Sequence, residues 1–236
     1  MSGPEARPKH VLLDAQSRAL APLRTRLLRR VQIATRKNIV DLGSGTGSVT
    51  AELVRRGGGD VVAVDIQPDL LRLDPEPFAQ ARRVVASADQ LPFESESVDC
   101  VFCQYALLWM PLPETLAEVT RVLCPGGVLI AIEPDLGGML EWPERGLKDL
   151  WIRVMREAGA DPCVGRRIPP WLHENGFHVT VEMMPELTPP PDPLAMLRGL
   201  PMSAPDRALL TRLDQPGSWR RFSWSPVLGI TAVWQP

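Results

Sequence analysis

The chain has 236 residues, 44% hydrophobic and 23% charged, with a net charge of −2, so it can bury a sizeable core and reads as an ordinary globule. No apolar run approaches the ~18 residues of a membrane helix, and Met1 to His10 lacks the apolar core of a signal peptide, which together imply a cytoplasmic protein. Four cysteines are too few for a disulfide framework, and the overall charge does not argue for a nucleic-acid partner.

From His10 to Arg30 the apolar residues Val11, Leu12, Leu20, Leu23, Leu27 and Leu28 recur at helical spacing around Pro22, which predicts two short amphipathic helices. Between Gln16 and Val40 lie seven cations, Arg18, Arg24, Arg26, Arg29, Arg30, Arg36 and Lys37, with no acid among them. A solvated helix face is the first reading of that run, and contact with RNA or an anionic substrate is the second. Ile39-Val40-Asp41-Leu42 then breaks into Gly43-Ser44-Gly45-Thr46-Gly47, a buried strand turning into a helix expected over Ser48 to Arg56. Backbone left open by glycine, with a helix start beyond it, suits a nucleotide-type ligand.

Gly57-Gly58-Gly59 stops that helix, and Asp60 leads into the apolar strand Val61 to Val64, which ends in Asp65. An acid at this place in a nucleotide-binding unit accepts hydrogen bonds from ribose hydroxyls, although Gln67-Pro68-Asp69 also allows Asp65 to cap a helix. A third strand from Val84 ends in Ala88-Asp89, followed by a Leu91-Pro92-Phe93 corner and a fourth strand from Val98. Cys100 and Cys103 are spaced like a metal or redox pair, but on a strand they face opposite ways, so buried thiols and no metal are expected. A helix from Pro113 closes at Pro125-Gly126-Gly127, strand five spans Val128 to Ile132, and further helices follow over Leu147 to Ala158 and Asp206 to Leu213. A sixth strand is expected over His178 to Met184.

The alternating glycines after Asp41, with Ser48 where a dinucleotide fingerprint needs its third glycine, resemble the first motif of class I S-adenosylmethionine (SAM) dependent methyltransferases. The Ala88-Asp89 strand end, the Leu-Pro-Phe corner and the run from Glu118 to Leu129 resemble the ubiquinone/menaquinone-biosynthesis group, methyltransferase type 11. The likeness covers about Asn38 to Ile132. It implies an α/β, Rossmann-like, doubly wound sheet of seven mostly parallel strands, the last, near Gly229 to Trp234, antiparallel, under an N-terminal helical cap. Residues 1–37 would then pack over the active site of a domain spanning 38–236, with acceptor-site insertions at about 134–146 and 185–220. In the second insertion Met196, Leu197, Leu200 and Met202 are available to line an apolar pocket.

On this reading SAM is bound by Asp41, Gly43, Ser44, Gly45, Thr46, Gly47, Asp65, Ile66, Ala88, Asp89, Gln90, Leu91, Gln104 and Tyr105, and leaves as S-adenosylhomocysteine. Trp109, Asp135, Met139 and Trp142 are the expected acceptor contacts. His10 and Glu133 are the candidate bases, while His173 and His178 read as structural. The expected partner is a small, partly apolar molecule methylated at O, N, C or S, with no membrane span, and monomer and homodimer both stay open. An RNA acceptor held by the basic N-terminal segment and a non-catalytic SAM-binding subunit are the alternatives. A NAD-dependent dehydrogenase is disfavoured by Ser48.

Overall fold

The computed structural model describes residues 10–73, 76–184, 194–215 and 222–236. Two helices open it, α1 (His10–Ala19) and α2 (Ala21–Arg30), and Pro22 stands in the first turn of α2, where a missing N–H costs nothing. Then come β1 (Asn38–Leu42), α3 (Thr50–Arg56), β2 (Asp60–Asp65), α4 (Pro68–Leu73), β3 (Arg82–Val85), β4 (Val98–Gln104), α5 (Leu112–Val122) and β5 (Leu123–Pro134). The remainder is β6 (Leu140–Trp142), α6 (Leu147–Glu157), α7 (Val164–Glu174), β7 (Phe177–Met183), the single turn α8 (Ala195–Arg198), α9 (Ala204–Leu213), β8 (Phe222–Trp224) and β9 (Val227–Trp234).

Seven strands form one sheet in the order β3-β2-β1-β4-β5-β9-β7, in which β9 runs antiparallel to both of its neighbours and every other pairing is parallel. This is the Rossmann-like, doubly wound sheet with its last strand reversed. The strand order turns back between β1 and β4, and ligands of open α/β sheets lie at the carboxyl ends beside such a point.

Alternation along the strands divides the core into two layers. Ile39, Cys100, Phe102, Ile130 and Ile132 meet Leu23, Leu27 and Leu28 of α2 and Leu53 of α3 on one face. Val40, Leu42, Val101, Cys103 and Leu129 meet α5, α6 and α7 on the other. Leu23, Leu27 and Leu28 are 0% exposed, each worth roughly 1.5–3 kcal/mol of burial. The amphipathic α2 is therefore a structural layer of the domain. Cys100 and Cys103 fall in opposite layers, both buried as free thiols.

Some boundaries differ from expectation. Helix α3 starts at Thr50 rather than Ser48, because Gly47 to Val49 still turn and the Thr50 hydroxyl is drawn inward onto Asp41 at 2.6 Å. Helix α5 ends at Val122 rather than at the glycines, since Leu123 already pairs with Val98 before a register shift. Gly126, at φ +76°, kinks a continuous strand. Leu197 and Leu200 are core residues and Met202 packs against them, so that cluster fills the domain and is not a pocket wall. Within the second expected insertion, 185–193 and 216–221 lie outside the described residues.

Candidate active site

The loop between β1 and α3 holds Gly43, Gly45 and Gly47 at φ +73°, +56° and +84°, the left-handed region that L side chains disfavour. Its N–H groups are tied down: Gly43 and Ser44 both donate to the Val64 carbonyl, at 2.8 and 3.0 Å, and Gly47 donates to Ser44 at 3.0 Å. A Cβ on Gly43 would lie 2.4 Å from Ala106 Cβ, and one on Gly47 2.6 Å from the Phe78 ring. A Cβ on Gly45 would meet nothing within 4 Å. The outer two glycines seat the loop against protein, whereas the middle one faces the open cleft.

Asp65 closes the loop from β2. One carboxylate oxygen accepts the Gly45 N–H and the other the Gln67 N–H, both at 2.9 Å. The side chain therefore caps the start of the next helical turn, as Gln67-Pro68-Asp69 allowed, and it also lines the cleft. Asp41, at the end of β1, is 2% exposed and receives the Thr50 hydroxyl. Burial raises its pKa to about 7, against the opposing pull of the Thr50 hydrogen bond and the Arg24 charge.

Arg24 is buried on α2 and ties three elements together. Its Nε lies 2.7 Å from Glu52 of α3, and its Nη1 donates to the Ser17 carbonyl of α1 at 3.0 Å and to Gln104 Oε1 at 2.9 Å. Asp14 of α1 accepts a short hydrogen bond from Ser48. Helix α1 therefore lies across the glycine loop, and Leu13, Gln16 and Ser17, at i, i+3 and i+4 on one face, line the cleft.

The opposite wall is the turn after β4. Tyr105 has φ +52°, an uncommon value for a bulky residue, and is followed by a 3-10 turn over Leu107–Trp109. Glu133, 0% exposed, accepts the Ala106 and Leu107 N–H groups on Oε1, each at 2.9 Å. Burial raises its pKa to about 8. Glu133 does not line the cleft, so the expected base is walled off from any acceptor. His10 opens α1, but its side chain lies outside the described residues.

These walls enclose a cleft of about 390 Å³, within the ~300–1,000 Å³ usual for small-molecule sites. Asp41, Gly43, Ser44, Gly45, Thr46, Asp65, Ile66, Ala88, Gln104, Tyr105 and Trp109 all line it. Ser44 Oγ and Gln67 Nε2 are buried there with no hydrogen-bond partner in the structure. Such orphans cost ~1–3 kcal/mol each until a ligand supplies partners, so the residues present fit a ligand that carries hydrogen-bonding groups to this end of the cleft.

Other expected contacts lie elsewhere. Gly47 is packed beneath Phe78. Asp89 and Gln90 are exposed, because a bridge between Ser87 and Gln90 closes their turn and the Ser87 hydroxyl takes the Asp89 carboxylate. Leu91 is a core residue. Asp135 is held by Arg166 Nε at 2.8 and 2.9 Å, Met139 is buried in the core, and Trp142 stands 73% exposed on the small two-stranded β6–β8 sheet. Sequence reasoning missed Leu13, Gln16, Ser17, Gln67, Leu70 and Ser87. For Gln16 and Ser17 the available signal was a pair of polar residues beside the apolar stripe of α1.

Among the described residues, no group of three or more His, Cys, Asp or Glu side chains is placed to hold a metal ion. No described helix is long and apolar enough to cross a membrane.

The sheet order and the cleft at its switch point are those of a Rossmann-like fold, and residues 40–131 match the family model described as "Methyltransferase domain". The chain is 36% identical over 124 residues to an uncharacterized methyltransferase of Mycobacterium tuberculosis, an alignment covering 52% of this chain and 47% of that one. It is 32% identical over 106 residues to the ubiquinone/menaquinone biosynthesis C-methyltransferase UbiE of Citrobacter koseri, covering 41% and 42%. The chain thus spans about half the length of the curated relatives it matches. Geranyl diphosphate C-methyltransferase from Streptomyces coelicolor, solved with Mg2+, geranyl diphosphate and S-adenosylhomocysteine, shares the fold at TM-score 0.61 and 15% identity, over 92% of this chain and 80% of that one.

Proposed function

We propose that this chain transfers a methyl group from SAM to a small, partly apolar molecule by in-line displacement. The supporting observation is the cleft itself. One wall is a thrice left-handed glycine loop tied to Asp65, with two orphaned polar atoms, and the other wall is Leu13, Trp109, Met110 and Pro111. Asp65 and the Gly45 backbone would hold the ribose, Ile66 and Ala88 would flank the base, and Gln104 and Tyr105 would border the methionine end. Trp109 is the acceptor contact that lines this cleft. Helix α1 acts as its cover through Leu13, Gln16 and Ser17.

Bound SAM supplies the electrophilic methyl and its own leaving group. The chain's residues orient the acceptor against that methyl and exclude water, which is worth ~7–11 kcal/mol. A general base adds only ~10²- to 10⁴-fold, so a walled-off Glu133 leaves the reading intact.

The test is incubation of the protein with SAM and a panel of quinols, phenols, amines and thiols, with S-adenosylhomocysteine as the readout. Acceptor-dependent product is the expected result. Tight SAM binding with no turnover across the panel would instead favour a SAM-binding subunit.

A further inference from the structure

We propose that Glu133 is a positioning residue for the cofactor cleft, fixing the turn Tyr105–Trp109 in the one conformation that builds the cleft's second wall. The assignment rests on the methyltransferase reading above.

The geometry is a three-point clamp. The Ile132 carbonyl accepts the Tyr105 N–H at 2.9 Å, and Glu133 Oε1 accepts the next two, from Ala106 and Leu107, at 2.9 Å each. Two adjacent residues of β5 thus capture three consecutive N–H groups of the turn. Tyr105 sits at φ +52°, a conformation costing ~1–3 kcal/mol that persists only where its surroundings impose it. Ala106 then abuts the glycine loop so closely that a Cβ on Gly43 would clash with it, while Tyr105, Trp109 and Met110 face the cleft. Release of the clamp lets Tyr105 relax and moves that wall away from Gly43.

Glu133 touches no part of the cleft, so it acts through the turn. Burial favours its neutral form, while the backbone N–H groups it accepts favour the carboxylate. Its Oε2 is buried without a hydrogen-bond partner. The titratable groups facing it are Cys103, with Sγ at 3.9 Å, and Tyr105, and neither supplies a positive charge. Across the sheet its register partner is Leu228. An ionised carboxylate there would leave a charge stranded in the core, which agrees with a pKa raised by burial to about 8.

The test is calorimetric titration of S-adenosylhomocysteine into wild type, E133Q and E133L between pH 6.5 and 9. At pH 6.5 the isosteric E133Q should bind within twofold of wild type, and E133L should bind at least tenfold more weakly. On going to pH 9, the affinities of wild type and E133Q should diverge threefold or more, because Glu133 ionises only in the former. Asp41 is present in both, so its titration cancels in that ratio. Wild-type affinity in E133L, or a flat ratio across the pH range, would overturn the proposal. The ratio decides the matter even where E133L does not fold. Folded wild type that ignores the compound would overturn the methyltransferase reading first, and this inference with it.

Discussion

Asp41, Asp65 and Glu133 all stand near the carboxyl end of a strand, and their surroundings give each a different chemistry. Asp65 accepts two backbone N–H groups at the mouth of the cleft, and its replacement frees the Gly45 anchor as well as removing the ribose acceptor. Asp65→Ala should therefore weaken S-adenosylhomocysteine binding by ~1–3 kcal/mol, read by calorimetry. Asp41 and Glu133 share a different trait, since burial raises both, to about 7 and about 8, from the ordinary carboxylate values of 3.8 and 4.5. Below pH ~4 each carboxyl is protonated in folded and unfolded chains alike and contributes nothing to the difference. As pH climbs toward 8 the unfolded chain releases those protons first, so stability falls over that window. Melting temperature should decline from pH 5 to 8 in wild type, and the D41N/E133Q double variant should flatten that decline.

Among the elements, α1 and α2 owe their placement to Arg24, whose fork reaches Glu52, Ser17 and Gln104 at once. Lysine at position 24 keeps a cation beside Glu52, which Arg56 also pairs at 3.1 Å, so the loss falls on the hydrogen bonds rather than on the charge. A lysine lacks the planar fork needed to span three partners. Arg24→Lys should thus lower the melting temperature and loosen α1 over the glycine loop, seen as faster hydrogen exchange in residues 13–17. Much of this level was legible in the residues: the amphipathic pair around Pro22, the glycine triplet and the apolar strands ending in acids all follow from spacing. What was not legible depended on distant partners. Helix α7 was obscured by Pro169 and Pro170 in its interior. Asp135 read as an acceptor contact until Arg166 claimed it, and Glu133 read as a base until the backbone of the 105–108 turn did. Each of those assignments turns on a neighbour more than twenty residues away in sequence, which local pattern does not encode.

At the scale of the whole molecule, the seven-cation run loses its coherence as a nucleic-acid surface. Arg24 is buried, Arg26 and Arg30 pair with Glu182 of β7 at 3.7 and 3.2 Å, and Arg36 Nη1 bonds the carbonyls of Asp99 and Gly126. With a net charge of −2, binding to single-stranded RNA should be weak at physiological salt and should not change when Arg29 and Arg30 become Ala. Fluorescence anisotropy across a salt series measures both.

Among the described strands β9 comes last in sequence, yet it lies between β5 and β7. During synthesis the ribosome delivers β3, β2, β1, β4 and β5 as a contiguous platform long before that wedge emerges. Until it does, β7 has no neighbour to join and the flank of β5 stays bare. The seven-stranded sheet therefore closes only when β9 pairs with both neighbours, and without it the flank of β5 is an open edge to which another strand can add.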